Sequence, residues 1–230
     1  MTILLYDLVG KDDRRFSPTC WRVKMALAHK GLPFETQATP FTAIKTIGDG
    51  FSKTVPVIND GGKLINESFE IASYLEATYP DKPSLFGGPG GEALTGFVNS
   101  WALTHLHMPL GAIIMCDVHD NCLEEDQAYF RESREARFGQ PLETFNEGRA
   151  DKLSRFRDGL TALRASLKNA PFVGGEAPLY ADYIILGAFQ WARTVCAEPL
   201  VEKDDPVWAY VDRLLDLHDG LAREAKAHPW

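Results

Sequence analysis

An α/β layer followed by an all-α helical bundle is the fold class this sequence predicts. Three observations carry it. Strand and helix patterns alternate through the first 80 residues, a stretch rich in proline and glycine follows at 80–91, and no convincing strand pattern appears after Gly91. The expected division is an α/β domain over residues 1–80, a linker over 81–91 and an all-helical domain over 92–230. A chain of 230 residues has room for two modest domains with a substantial core.

Residues 2–8 read as a buried strand, and 17–30 as a helix whose Cys20, Val23 and Leu27 fall on one face. Gly31 supplies its C-terminal stop. Leu32-Pro33-Phe34-Glu35 starts a second strand, and residues 54–58 and 63–65 form a hairpin around Gly61-Gly62. A helix from about 67 to 78 follows, burying Ile71, Ala72, Leu75 and Tyr79. Leu85 and Phe86 pin the Pro/Gly-rich stretch to the surface beneath it. Beyond it, Leu94, Phe97, Trp101, His105 and Met108 recur at helical spacing. Leu153, Phe156, Leu160, Leu163 and Leu167 step alternately by three and four, as a bundle-packing helix should. Pro109 removes a backbone hydrogen bond and is expected to kink its helix. Residues 183–189 are apolar all round, the pattern of a central buried helix.

A net charge of −8 argues against nucleic acid or an anionic membrane as the main partner. The longest apolar runs are far too short to span a bilayer, and the opening residues read as a strand rather than a secretory leader. Cys20, Cys116, Cys122 and Cys196 stand well apart, without the paired spacing of a zinc site, and read as free thiols of a reducing compartment. A cytoplasmic address and no metal are the expectations.

Three short motifs carry the candidate chemistry. In Ser17-Pro18-Thr19-Cys20-Trp21-Arg22, proline fits a helix's first turn and Ser17 its N-cap. A serine there can cap only, the commoner role of a lone Ser-Pro. Its hydroxyl can also donate to a thiolate brought in by a ligand, where free N–H groups already favour negative charge. Cys20, one turn further in, faces the core and reads as packing. In Lys53-Thr54-Val55-Pro56, a cis proline would turn the Val55 N–H and C=O outward to pair with an extended peptide; an ordinary trans edge proline is the commoner alternative. In Asn66-Glu67-Ser68, a strand ends and a helix begins. Ser68 can bind a carboxylate through N–H and Oγ while Glu67 accepts from an ammonium, or Asn66 or Ser68 can simply cap.

The first motif resembles the Cys-Pro-x-Cys turn of thioredoxins and glutaredoxins, with a hydroxyl where the attacking thiol belongs. The order Ser-Pro, Val-Pro, Glu-Ser, followed by a helical half, resembles the serine-type cytosolic glutathione transferases over essentially the whole chain. That resemblance implies an N-terminal thioredoxin-like domain, a C-terminal α-helical bundle, glutathione as cosubstrate and a homodimer. It implies Ser17 as the thiol-activating residue, Val55 beside cis-Pro56 as the backbone clamp, Glu67 and Ser68 at the γ-glutamyl group, and Lys53 and Thr54 nearest the glycine carboxylate. The second half is most similar to bacterial β-etherases and fungal etherase-type transferases. Cys116-Asp-Val-His-Asp120, Ser133-Arg-Glu135, Gly148-Arg149, Phe172-Val-Gly-Gly175, Tyr180-Ala-Asp-Tyr183 and Asp204-Asp-Pro206 carry that likeness, together with the charged insert at 10–16. One departure is Leu179, where many transferases have Ser or Thr three residues before the aspartate; Asp182 is therefore expected to be a structural cap.

The acceptor site is expected on the kinked helix, with Trp101, His105, Met108 and Met115 facing the glutathione cleft. Neither His105 nor His107 is given a catalytic role, because a lone histidine on an apolar helix is more often packed. The activity implied is attack of a Ser17-stabilised glutathione thiolate on a hydrophobic aromatic electrophile, with cleavage of β-aryl ethers as this branch's form of it. The alternative is a non-catalytic or weakly catalytic carrier of aromatic compounds beside glutathione. A thiol–disulfide oxidoreductase working through Cys20 ranks third, for want of the first-position thiol.

Overall fold

The computed structural model describes residues 2–230. Strand β1 (Ile3–Leu8) pairs in parallel with β2 (Phe34–Thr39) and antiparallel with β3 (Val57–Asp60), which forms a hairpin with β4 (Lys63–Asn66). The sheet order is β2-β1-β3-β4. Gly61 and Gly62 take positive φ in the hairpin turn, as the Gly-Gly pair requires. Helix α1 (Pro18–His29) connects β1 to β2, and α2 (Ser68–Thr78) follows β4 and packs beside α1. This is the mixed α/β layer that the sequence predicts and that the thioredoxin-like resemblance implies.

The all-helical half follows, as expected. Its long first helix is α3 (Gly91–Ala102), a π turn at Leu103–His107 and α4 (Met108–Asn121). Pro109 is the cause of the π turn. It has no N–H to donate and its ring crowds the carbonyl a turn back, so the helix widens ahead of it and Met108 N–H bonds to Leu103 O. Then come α5 (Glu124–Phe138), α6 (Leu142–Asn146), α7 (Arg149–Gly159), α8 (Thr161–Ser166), α9 (Tyr180–Val195), α10 (Pro206–Leu215) and α11 (Leu217–Gly220). Of the expected stripe Leu153, Phe156, Leu160, Leu163 and Leu167, the first four are buried and Leu167 is half-buried, and the single helix expected is broken into α7 and α8 at Leu160.

Helix α9 is the axis of the molecule. It is buried at all but one of its positions because it packs against α1 on one side and α3, α4 and α10 on the others. Its close approach to α1 depends on Gly187, where a Cβ would lie 2.4 Å from Pro18 O. Asp182 holds the start of α9, as expected of a structural cap. Its buried carboxylate accepts from the N–H groups of Val173 (2.7 Å), Gly174 (3.0 Å) and Leu179 (2.9 Å) and from Tyr210 OH (2.8 Å). Leu179 has no side-chain oxygen to complete a reciprocal box, and Asp182 N–H bonds to its carbonyl at 2.9 Å instead.

The Pro/Gly-rich stretch is anchored rather than loose. Leu85 and Phe86 are buried, and Lys30 Nζ reaches Glu76 (2.8 Å), Tyr79 O and Pro83 O (both 3.2 Å). Tyr79, expected in the core, is only half-buried. Its hydroxyl turns to Asp60 Oδ2 at 2.6 Å, a partner available only near solvent. All four cysteines are free thiols. No helix among the described residues is long and apolar enough to cross a membrane.

Candidate active site

Ser17 caps α1 as its neighbours dictate. Its backbone is extended, Pro18 opens the helix, and its Oγ accepts from Cys20 N–H at 3.2 Å. The residue is only 4% exposed, yet it lines a cavity of about 440 Å³ between the α/β layer and the bundle. Its Oγ also lies 3.1 Å from Thr19 Oγ1, which donates to Val55 O at 3.3 Å. The hydroxyl therefore has a lone pair on a helix N–H, with Thr19 Oγ1 and the Cys20 thiol beside it. Cys20 Sγ is buried in the core beside Ser17, 3.9 Å from Tyr6 O. Burial, with Asp7 nearby, pushes its thiol up to about 12, which removes it as a nucleophile and agrees with its expected packing role.

Lys53, Thr54 and Val55 form the facing lip of the same cavity. The Val55-Pro56 peptide is cis, the geometry the resemblance implies. Ser52, which the sequence reading missed, shapes this lip: its buried Oγ donates to Thr54 O at 2.8 Å and accepts from Thr54 N–H at 3.1 Å. Lys53 is exposed and has no carboxylate partner among the described residues.

Glu67 and Ser68 stand beyond Thr54 rather than on the cavity wall. Thr54 Oγ1 donates to Glu67 Oε1 at 3.3 Å, joining the two groups. Glu67 has φ +65°, a conformation that costs a non-glycine residue on the order of 1–3 kcal/mol. No side chain caps α2; Asn66 turns instead to Ser52 Oγ at 3.3 Å. The first-turn N–H groups at Ser68 thus remain available to an anion. Beneath Ser68 lies a buried cation. Arg22 is 5% exposed and reaches Ser68 Oγ (3.5 Å), Asn99 Oδ1 (2.8 Å) and His107 Nε2 (2.5 Å), with no carboxylate beside it. Burial, reinforced by Arg22, holds His107 down to about 3, so the imidazole is neutral and accepts from the guanidinium. It is the packed histidine expected on that helix.

The acceptor expectations divide at the π turn. Met115 lines the Ser17 cavity and, with Met108, a contiguous hollow of about 400 Å³ that also touches Pro18, His107 and Trp191. Trp101 and His105 do not reach either space. They stack on each other, ring centroids 5.5 Å apart, and Trp101 borders a separate shallow groove with Phe97 and Val98. The extra residue in the π turn rotates α4 relative to α3, so a stripe counted at 3.6 residues per turn does not stay on one face. The helical wall of the Ser17 cavity is formed by Tyr129, Phe130, Arg134, Arg137 and Phe138 on α5, with Trp191 on α9. Opposite them, Phe41 is locked by Asp126, whose buried carboxylate accepts from Phe41 N–H at 2.8 Å and from Thr42 N–H at 2.9 Å. The charge-rich α5 has no long apolar stripe to mark it as a wall. Among the described residues no three His, Cys, Asp or Glu side chains are grouped to hold a metal ion.

The comparisons agree with this geometry. Residues 16–78 match the family model of the glutathione S-transferase N-terminal domain, and residues 93–222 match that of the C-terminal domain. The glutathione S-transferase-like protein ustS of Aspergillus flavus is 27% identical over 223 residues, covering 82% of this chain and 78% of that protein. Maleylpyruvate isomerase of a Ralstonia species is 25% identical, over 77% of this chain and 79% of its own length. Among solved structures, a glutathione S-transferase of Ceriporiopsis subvermispora in complex with glutathione superposes with a TM-score of 0.78 at 26% identity, covering 100% of this chain and 99% of that one. With a mixed four-stranded layer, a buried hydroxyl capping α1 above an interlayer cavity, and both family models matched in order, the chain belongs to the glutathione S-transferase family.

Proposed function

We propose that this protein is a serine-type glutathione transferase acting on hydrophobic aromatic electrophiles, with β-aryl ether cleavage as the form closest to its sequence. The observation that carries the reading is Ser17 Oγ, held on Cys20 N–H at the edge of the interlayer cavity with its proton free to turn inward. Glutathione supplies the nucleophilic sulfur. Ser17 donates to that sulfur and favours the thiolate near neutral pH. Val55 pairs with the peptide backbone, and Lys53 with Thr54 receives the glycine carboxylate. Ser68 N–H and Oγ receive the γ-glutamyl carboxylate, with Arg22 as the nearby positive charge and Glu67 on the ammonium. The sulfur–carbon bond forms as the leaving group departs with its electron pair; in an aryl ether that group is a phenolate. Trp101 and His105, being on another face, have no part in this reading, and Met108 borders the acceptor space. The exposed Leu94 and Phe97, each 71% accessible, support a homodimer, which sedimentation velocity would test. A cytoplasmic address belongs to the same reading, supported by four cysteines that are all free thiols.

The test is Ser17→Ala assayed with glutathione and a chromogenic β-aryl ether. Turnover at neutral pH should fall by about 3 kcal/mol of transition-state stabilisation, with glutathione affinity nearly intact and the deficit shrinking at high pH. Full activity of the variant in mildly acidic buffer would overturn the assignment of Ser17. Displacement of a bound dye by aromatics without any turnover would favour the carrier alternative.

A further inference from the structure

The Ser17 cavity has an unusual charge balance for so acidic a protein. Three cations, Lys53, Arg134 and Arg137, line it, and no aspartate or glutamate does. Net charge over the chain is −8, so this local excess is not a reflection of composition. Lys53 belongs to the α/β lip, while the two arginines come from the opposite, helical wall. They are three residues apart on α5 and therefore neighbours on one face. The arginine one turn earlier on the same helix, Arg131, is paired with Glu135 and Glu143 at 2.9 Å each; Arg134 and Arg137 have no carboxylate partner among the described residues.

Arg134 is also held in place. Its guanidinium lies over the Phe130 ring at 4.6 Å and the Phe41 ring at 5.3 Å, and donates to Ser133 Oγ at 2.9 Å. A guanidinium resting against two adjacent rings keeps its N–H fork ready for a planar, bidentate acceptor, and carboxylate is the matching group. Burial and the repulsion of Arg137 both disfavour its charge, and both penalties are relieved by an anion seated between the two arginines. The rest of the wall, with Phe16, Tyr129, Phe138 and Trp191, suits a flat apolar frame.

We propose that the electrophile this cavity selects is an apolar or aromatic molecule carrying a carboxylate, bound by Arg134 and Arg137 while its electrophilic carbon faces Ser17. The proposal rests on the transferase reading above and adds to it the charge class of the acceptor.

A matched pair of benzylic electrophiles tests it: 4-(chloromethyl)benzoate and its methyl ester, each with glutathione. In both, the glutathione thiolate forms a sulfur–carbon bond as chloride leaves with its electron pair, and the thiol proton passes to solvent. With each rate corrected for the uncatalysed reaction, kcat/KM for the acid should exceed that for the ester by about tenfold, from a charge-assisted bidentate contact. The ratio should fall as salt is raised. Arg134→Gln should bring it toward one. Arg137→Gln, on an exposed position, gives the same test should the first variant fold poorly. An ester turned over as well as the acid overturns the proposal, as does a ratio that survives both substitutions. A loss of glutathione affinity in the variants with the ratio retained would give the arginines to the glycine carboxylate instead. If neither electrophile reacts, the transferase reading fails for benzylic carbons, and calorimetry still decides the anion site. S-(4-carboxybenzyl)glutathione should bind about tenfold tighter than S-(4-methylbenzyl)glutathione, and equal affinities overturn the proposal.

Discussion

Two hydroxyls at the start of α1 share one proton network, and their division of labour can be read from their partners. Ser17 Oγ accepts from Cys20 N–H, whereas Thr19 Oγ1 donates to Val55 O. A thiolate in the cavity can therefore accept a hydrogen bond from Ser17 Oγ–H without unmaking the helix cap. Thr19→Val should cost less than about 1 kcal/mol in turnover, because Cys20 N–H still fixes Ser17, while Ser17→Ala should cost about three times as much and loosen α1 by about 1 kcal/mol. Steady-state kinetics of both variants at neutral pH gives the order, and a reversed order would make Thr19 the donor to sulfur. Glu67 invites a different experiment. Its positive φ is a cost that glycine would not bear, so Glu67→Gly should raise the melting temperature while weakening glutathione binding by roughly 2 kcal/mol through loss of the carboxylate facing the ammonium. Stability gained with unchanged affinity would leave Glu67 a strained residue without a ligand. The serine, the Val-Pro pair and Glu-Ser were legible as motifs because each lies within one turn or strand end. Arg22 was not marked out by its position in the same motif, since nothing local says that an arginine on α1 will be buried without a carboxylate.

At the scale of elements, local chemistry was read well and long-range geometry was not. The Ser-Pro start and Gly31 stop of α1, and the Gly-Gly hairpin, follow from residues adjacent in sequence. The burial of the middle of α9, apolar all round at 183–189, follows from composition alone. The misplacement of Trp101 and His105 has a definite cause: the pattern was carried at constant pitch through Leu103–His107, where the helix takes a wider turn ahead of Pro109. The α5 wall was missed for another reason. Its role depends on Asp126 gripping Phe41 and Thr42 across more than 80 positions, a pairing no periodicity announces. The α1–α9 crossing offers a test of how tightly the elements are coupled. Gly187→Ala would place a methyl 2.4 Å from Pro18 O, and a backbone carbonyl cannot swing aside as a side chain can. The two helices must separate, at a cost of about 1–3 kcal/mol. Because the displaced atom belongs to the residue after Ser17, activity per folded molecule should fall as well. Thermal unfolding together with turnover of the folded fraction would show both losses; a variant of wild-type stability would mean the crossing is looser than the backbone distance implies.

Over the whole molecule, half-buried histidines tie the α/β layer to the bundle and should make that seam sensitive to acid. His107, from the π turn, faces Arg22 of α1 and the ring of Trp191 on α9. His29, near the end of α1, meets Tyr183 OH at 2.7 Å and Ser84 O at 3.0 Å, with Lys30 and Glu76 close by; His218 approaches the same tyrosine at 3.1 Å beside Asp219. Burial lowers all three, and His107 falls to about 3. An unfolded chain takes up these protons from about pH 6.5 downward, whereas the folded chain leaves His107 neutral until near pH 3. Folding is therefore unaffected above pH 7 and loses stability as pH falls below 6.5, at about 1.4 kcal/mol per unit for His107, or roughly 2–3 kcal/mol by pH 4.5. Glu76, held below the usual carboxylate range by Leu85 N–H and Lys30, and Asp205, held there by Arg164 and Val207 N–H, add to the loss only at lower pH, where the unfolded carboxylates protonate. Asp117 and Asp182, whose carboxyls burial pushes up, work against this loss, so between pH 7 and 5 the share of His107 is the difference between wild type and a His107 variant. Urea unfolding at pH 7.5, 6.0 and 5.0 should give falling midpoints, and His107→Gln, which can still accept from Arg22, should flatten the slope. An unchanged slope in the variant would mean that His107 takes its proton in the folded protein at an ordinary pH.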